Sequence, residues 1–148
     1  MMATLILTVG LPRSGKSTWA KEQAWWGASQ RYTIPIVSPD SIRLALYGGV
    51  FCRESEPMVW ALARYMVKAL FISGHDTVIL DACCLTEKRR MEWVGDEWET
   101  VLHCVTTDAD ECARRAVACG QTYLLEVIGK FARVYQDPKQ DIKDWTYV

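Results

Sequence analysis

A lysine and two hydroxyl residues close a glycine-bracketed run, Gly10-Leu11-Pro12-Arg13-Ser14-Gly15-Lys16-Ser17-Thr18, that follows directly on the apolar stretch Thr4 to Val9. This G-x-x-x-x-G-K-S spacing is what a phosphate cradle between a strand and a helix requires. Gly10 and Gly15 let the backbone curl so that successive N–H groups aim at phosphate oxygens, a concavity that bulky residues would fill. Lys16 would reach the β- and γ-phosphates, Ser17 would offer its hydroxyl to Mg²⁺, and the N-terminus of the helix opening there favours anions. The run Gly10 to Thr18 therefore predicts binding of a nucleoside triphosphate, ATP or GTP, with Mg²⁺.

Other reactive side chains recur just after apolar stretches. Ser38-Pro39-Asp40-Ser41-Ile42-Arg43 sets a carboxylate three residues before a guanidinium, on one helical face. Asp40 could take the proton of an attacking hydroxyl and Arg43 could hold an acceptor phosphate or pair with Asp40; ordinary helix capping by Asp40 is the alternative. Thr77-Val78-Ile79-Leu80-Asp81 is an apolar strand ending in aspartate, and Asp81 would order Mg²⁺, a capping residue at the strand end being the alternative. Thr86 is a plausible cap for Glu87-Lys88-Arg89-Arg90, either a surface basic helix or a substrate-binding edge. Asp108 and Glu111 have capping-box spacing, and Arg114-Arg115 beyond them is either a pair of solvated charges or a lid that brings cations onto the transferring phosphoryl group. His75 and His103 have no spacing partner and carry no role.

The elements that must hold these groups alternate in type. Strands are predicted at 4–9, 33–38, 77–82 and 100–106, with a short one near 145–148, and helices at 17–29, 39–47, 55–73, 86–95, 108–119 and 121–136. Val59, Leu62, Ala63, Met66, Val67 and Leu70 recur at helical spacing and predict a core stripe on the long helix. Such alternation implies a parallel sheet with helices on both faces, and a ligand site beyond the carboxyl ends of the strands.

With 148 residues and no linker-like stretch, the chain is expected to be one domain spanning 1–148. A formal net charge of −1 predicts no general attraction for a polyanion, so any nucleic-acid contact would be local. No apolar run reaches membrane-spanning length and Met1-Met2-Ala3 leads into a strand, so a cytoplasmic protein with no membrane partner is expected. The six cysteines lack a C-x-x-C pair, which argues against metal and redox motifs; Cys104 and Cys112 read as buried, inert thiols. The seven tryptophans fall mostly on helices, where packing is the main reading and base stacking the alternative.

Together these residues resemble the zeta-toxin-like and bacteriophage polynucleotide 5′-hydroxyl-kinase branch of phosphate-loop kinases, along nearly the whole chain. Gly10 to Thr18 is similar to that family's G-x-x-G-S-G-K-S-T loop, with Arg13 at a usually small position. Ser38 to Arg43 is similar to its N-R-D-x-x-R element, and Gly74 to Arg90 to its G-x-x-V-I-x-D-x-T-N-L-x-x-x-x-R-R run, with Cys83-Cys84 in place of Thr-Asn. Glu111 to Gly120 is similar to the lid helix, Arg115 matching its first arginine and Cys119 standing at its second; Pro138 to Trp145 matches the closing element loosely. The resemblance implies a three-layer α/β/α P-loop NTPase fold with a parallel sheet and a short helical lid. It further implies Asp40 as base, Arg43 on the acceptor, Lys16 and Arg115 on the transferring group, Arg114 as a second lid cation, and the 5′-hydroxyl of a nucleic acid as acceptor. A nucleoside, a hydroxymethylated base or a sugar are alternative acceptors, and an ATP-hydrolysing switch protein is the alternative function.

Overall fold

The structure is a computed structural model that describes residues 2–27, 33–49, 51–142 and 144–148. Residues 28 and 29 of the first predicted helix, Lys143 of the closing element and the side chain of Trp26 lie outside the described residues. In chain order the elements are β1 (Thr4–Val9), α1 (Lys16–Gly27), β2 (Ile36–Val37), α2 (Pro39–Tyr47), α3 (Glu56–Ile72), β3 (Thr77–Leu80), α4 (Glu87–Met91), β4 (Glu99–Cys104), α5 (Ala109–Ala118), α6 (Leu124–Val134) and β5 (Thr146–Tyr147). A single 3₁₀ turn, Pro138–Gln140, stands between α6 and β5.

The strands form one parallel sheet in the order β2-β3-β1-β4-β5. Its inner strands read as apolar runs because helices cover both faces, giving the expected three-layer α/β/α arrangement. Leu5, Leu7, Val78, Leu80 and Leu102 are fully buried, and Val59, Ala63 and Val67 of α3, at four-residue spacing, close over them. The register decides where the site lies. Leu7 pairs with both Leu80 and Leu102, and Val37 pairs with Leu80, so β2 and β3 end at one level with Ser38 and Asp81 just beyond, while β1 runs two residues further beside β4 before the glycine loop. That level is the carboxyl edge, flanking the central strand from which the chain order runs in both directions.

Several elements are shorter than the sequence predicts. The edge strand expected at 33–38 is confined to Ile36–Val37, the residues that pair with Ile79 and Leu80. The helix expected over 86–95 stops at Met91, because the chain turns to bury Trp93, whose carbonyl accepts from Trp98 Nε1 at 2.9 Å and Thr100 Oγ1 at 2.7 Å. The last helix starts at Leu124 instead of 121, after a turn that follows the left-handed Gly120. The α3 stripe is narrower than expected: Leu62 is half-buried, packed against the core and on the wall of a cavity, and Met66 is exposed on that same wall.

Packing accounts for most tryptophans. Trp93, Trp98 and Trp145 are buried, and Trp19 stacks on His103 with centroids 3.6 Å apart, whereas Trp25 is 79% exposed. Among the described residues no helix is long and apolar enough to cross a membrane. A second, smaller core of Leu11, Leu85, Cys112, Ala116 and Ile128 ties α5 and α6 to the glycine loop.

Candidate nucleotide and phosphoryl-transfer site

The loop between β1 and α1 has the conformation its glycines predict. Arg13 and Gly15 both take positive φ, 66° and 110°, which turns successive N–H groups to one side. The Ser14 N–H is bonded to Leu11 O, but those of Arg13, Gly15 and Lys16 have no partner outside the helix among the described residues. Lys16, buried at the centre, donates to Leu11 O at 2.6 Å, so its ammonium lies within the loop's curve. Thr18 lies on the first turn of α1, and Leu11, assigned to the loop's ligand set with Pro12, turns its side chain into the small core under α5.

Tertiary contacts invisible in the motif brace this loop. The Thr8 hydroxyl, fully buried in β1, donates to Ala82 O at 2.7 Å and accepts from Ala82 N–H at 2.9 Å, fixing the chain directly after Asp81. Gly10 N–H donates to Cys83 O at 3.1 Å, and Thr107 Oγ1 to Ser14 O at 2.8 Å. A Cβ on Gly10 would lie 2.8 Å from Ser14 Oγ and 2.8 Å from the Val105 carbonyl. Since the second contact is backbone, Gly10→Ala is expected to cost about 1–3 kcal/mol in a denaturant melt and to weaken ATP binding at least about tenfold. An unchanged melt would refute the close approach.

Ser17 and Asp81 meet across the loop, with Ser17 Oγ donating to Asp81 Oδ2 at 2.7 Å. Among the described residues no cluster of three or more His, Cys, Asp or Glu could hold a metal by itself. One hydroxyl and one carboxylate fit Mg²⁺ in particular, an ion that prefers oxygen, retains waters and completes its shell from phosphate.

Beside Asp81 opens a cavity of about 570 Å³ with Asp40 on its wall. The helix carrying Asp40 is capped by Ser38, whose Oγ accepts from Ser41 N–H at 3.2 Å, with Pro39 in the first turn. Capping is thus not what Asp40 does; its side chain is 92% exposed, one turn from the strand end. Arg43 Nη1 donates to Asp40 Oδ1 at 2.6 Å. The rest of the Arg43 fork is held by Glu56, Nε to Oε1 at 2.6 Å and Nη2 to Oε2 at 2.7 Å. Glu56, which sequence reasoning missed, also accepts from Trp60 Nε1 at 3.0 Å. Hydrogen bonds to Glu56 are the main reason the Arg43 guanidinium is held above its usual range, and those from Arg43 hold Glu56 below its own. Arg43 therefore fixes Asp40 from behind.

The two arginines of α5 part company. Arg115 Nη1 reaches the carbonyls of Ser14 at 3.2 Å and Arg13 at 3.3 Å, while its Nε is held by Glu111 at 3.0 Å. Arg114 turns to solvent on Glu111, 2.5 Å away, and stays off the loop. A cation that the lid reading did not consider comes from the loop itself, where Arg13 Nη2 donates to Cys119 Sγ at 2.9 Å. Asp108 caps α5 through Glu111 N–H at 2.8 Å, as its spacing predicts.

Arg90 corrects the picture of α4 as a surface basic helix or a substrate edge. Its side chain is fully buried, bonded to both oxygens of Asp141 and to the carbonyls of Cys84 and Gln136. The cysteines also divide: Cys84 and Cys112 are buried, Cys83 and Cys104 half-buried, Cys52 and Cys119 exposed. Burial pushes the Cys84 thiol up to about 12 and raises that of Cys83, against the pull of the Lys16 ammonium, so both stay protonated at neutral pH.

The same fold occurs in known proteins. APS kinase CysC of Mycobacterium tuberculosis, in complex with AMPPNP and APS, superposes with a TM-score of 0.72 at 18% identity, covering 94% of this chain and 85% of its own. A gluconokinase from Sinorhizobium meliloti 1021 gives 0.62 at 15% identity, over 99% of this chain and 82% of that one. A chain of the Pnkp1/Rnl/Hen1 RNA repair complex gives 0.65 at 18% identity over 96% of this chain, which spans 47% of its length. These likenesses show that the chain shares the α/β fold of those proteins. No curated protein matches the sequence. Residues 5–136 match the family described as AAA domain.

Proposed function

The chain belongs to the AAA domain family, and on that premise we propose that it is an ATP- and Mg²⁺-dependent phosphotransferase acting on an alcohol hydroxyl. The observation that carries this reading is the shared cavity: Ser17 and Asp81, suited to Mg²⁺, and Asp40, suited to an acceptor, line one space at the carboxyl edge of the sheet. Gly10 to Thr18 would hold the triphosphate, with Lys16 on the β- and γ-phosphates. Mg²⁺, when bound at Ser17 and Asp81, neutralises charge across those phosphates. Asp40, steadied by Arg43, accepts the acceptor proton as its oxygen bonds to the γ-phosphorus and the bond to the β,γ-bridging oxygen breaks, releasing ADP. Arg115, already at the loop, has the short path to the transferring group, with Arg13 beside it. Phosphoryl transfer asks mainly for positioning and charge neutralisation, and this set supplies both kinds of group.

A 5′-hydroxyl nucleic-acid end is the acceptor the zeta-toxin-like and polynucleotide-kinase resemblance implies, and the likeness to a chain of an RNA repair complex supports keeping it in the test. An ATP-hydrolysing switch without an acceptor is less well supported, because Asp40 would then face a cavity with no reactant. The test is transfer of γ-labelled phosphate from ATP with Mg²⁺ to 5′-hydroxyl oligonucleotides, nucleosides and sugars. Lys16→Ala is expected to lower transfer at least about 10³-fold by removing charge stabilisation at the reacting phosphate. Labelled product from both proteins alike would overturn the reading.

A further inference from the structure

The acceptor side of the cavity differs in character from the triphosphate side. Away from its polar side, where Ser38 and Ser41 join Ser17, Lys21, Asp40 and Asp81, its wall is made by Ile36, Ile42, Ala45, Leu46, Leu62 and Met66, from β2, α2 and α3. Three of these are exposed, Ala45, Leu46 at 47% and Met66 at 37%, although they sit on helices with buried faces. Apolar side chains kept at the mouth of a reactive cavity gain burial only when a ligand covers them. The volume, about 570 Å³, is that of a small-molecule site.

Charge on this side is negative. Among the described residues the cavity wall carries one cation, Lys21, against the carboxylates of Asp40 and Asp81. Arg43, a further cation close by, has Nε and Nη2 on Glu56 and Nη1 on Asp40, so each of its three nitrogens is already engaged and three of its five N–H groups are committed to carboxylates within the protein. With Asp81 taken up by Mg²⁺, an anionic acceptor would enter beside the Asp40 carboxylate with Lys21 as the one wall cation among the described residues, and a polyanion would lack the row of cations that gives such ligands their affinity.

Resting on the kinase reading above, we infer that the acceptor is an uncharged alcohol with an apolar or aromatic body, of nucleoside size or smaller. Its body lies on the wall from Ile36 to Met66 and its hydroxyl is turned to Asp40. The hydroxyl oxygen takes the γ-phosphoryl group, its proton passes to Asp40, and ADP leaves with the electrons of the broken bond.

The experiment compares γ-phosphate transfer to uncharged nucleosides and aromatic alcohols, to nucleoside 3′-monophosphates, and to 5′-hydroxyl oligonucleotides. The best uncharged acceptor is expected to exceed its 3′-phosphorylated counterpart by about tenfold or more in kcat/KM, with little salt dependence. Met66→Lys and, separately, Leu46→Lys are expected to raise the KM of that acceptor by about tenfold while leaving the KM for ATP unchanged; both positions are exposed, so folding is retained. Preference for the 3′-phosphate or the oligonucleotide, or a rise in their use in the lysine variants without loss of the neutral acceptor, would overturn the neutral-acceptor inference and leave the kinase standing. No labelled acceptor in any arm, with ATP bound, would overturn both.

Discussion

Replacing Asp40 by Asn is expected to lower kcat for phosphoryl transfer by about 10²- to 10⁴-fold, the range for loss of a positioned general base, while the KM for ATP stays within about threefold. The two effects separate because of how the side chain is held. Asp40 lines the cavity beside Ser17, and its ion pair to Arg43 is on an exposed carboxylate. Such a pair contributes about 0–1 kcal/mol, and Arg43 keeps both of its bonds to Glu56 when Asp40 is neutralised. The helix keeps its cap as well, since Ser38 supplies it. The variant should therefore melt like wild type, and Asp40→Glu should recover part of the rate. Glu56→Gln separates positioning from chemistry: it loosens Arg43 without touching reactants, and is expected to lower kcat less than Asp40→Asn does. If Asp40→Asn retains kcat within about twofold, Asp40 is not the base.

The parts of this site that could be read from the sequence are those whose cause is local. Gly10 to Thr18 and Asp81 sit next to strand ends, and the level at which a parallel strand stops follows from its own apolar run. Hence the carboxyl edge was legible, including the place of Asp40 in the first turn of α2. What was not legible depends on partners distant in sequence. Glu56 meets Arg43 across 13 residues and two helices, and no spacing rule links them. Arg13 reaches Cys119 across 106 residues, so an exposed loop arginine beside the lid could not be foreseen from either segment. Met66 fits the helical period of α3 as well as Val59 does, but the stripe is wider than the sheet edge it covers, and its margin is left facing the cavity. Thr8 offered a signal in principle: a hydroxyl within an otherwise apolar central strand must find a partner, and it finds Ala82.

Arg90→Met is expected to cost about 3–5 kcal/mol of stability, the largest effect of any single change outside the reactive groups. The argument starts from burial: Arg90 and Asp141 have side-chain exposures of 0% and 2%, and the guanidinium makes a bidentate pair to that carboxylate. Removing the cation strands a carboxylate whose remaining side-chain donor, among the described residues, is Trp145 Nε1 at 2.6 Å. In a domain of this size the loss corresponds to a fall in Tm of about 10 °C or more. Pairing it with Asp141→Leu should restore part of the loss, because the cost lies in the unpaired charge and not in the missing bond. The consequence reaches the site through the backbone. Arg90 Nη1 holds the carbonyl of Cys84, a residue at a φ of 44° that costs strain for a side chain, and the adjoining Cys83 carbonyl holds Gly10 N–H. With that support gone, the corner can relax and the loop loses a brace, so ATP affinity should fall even well below the melting temperature. A variant that melts within about 1 kcal/mol of wild type would show instead that Asp141 is already compensated by its surroundings, and that the corner at Cys84 is held without Arg90.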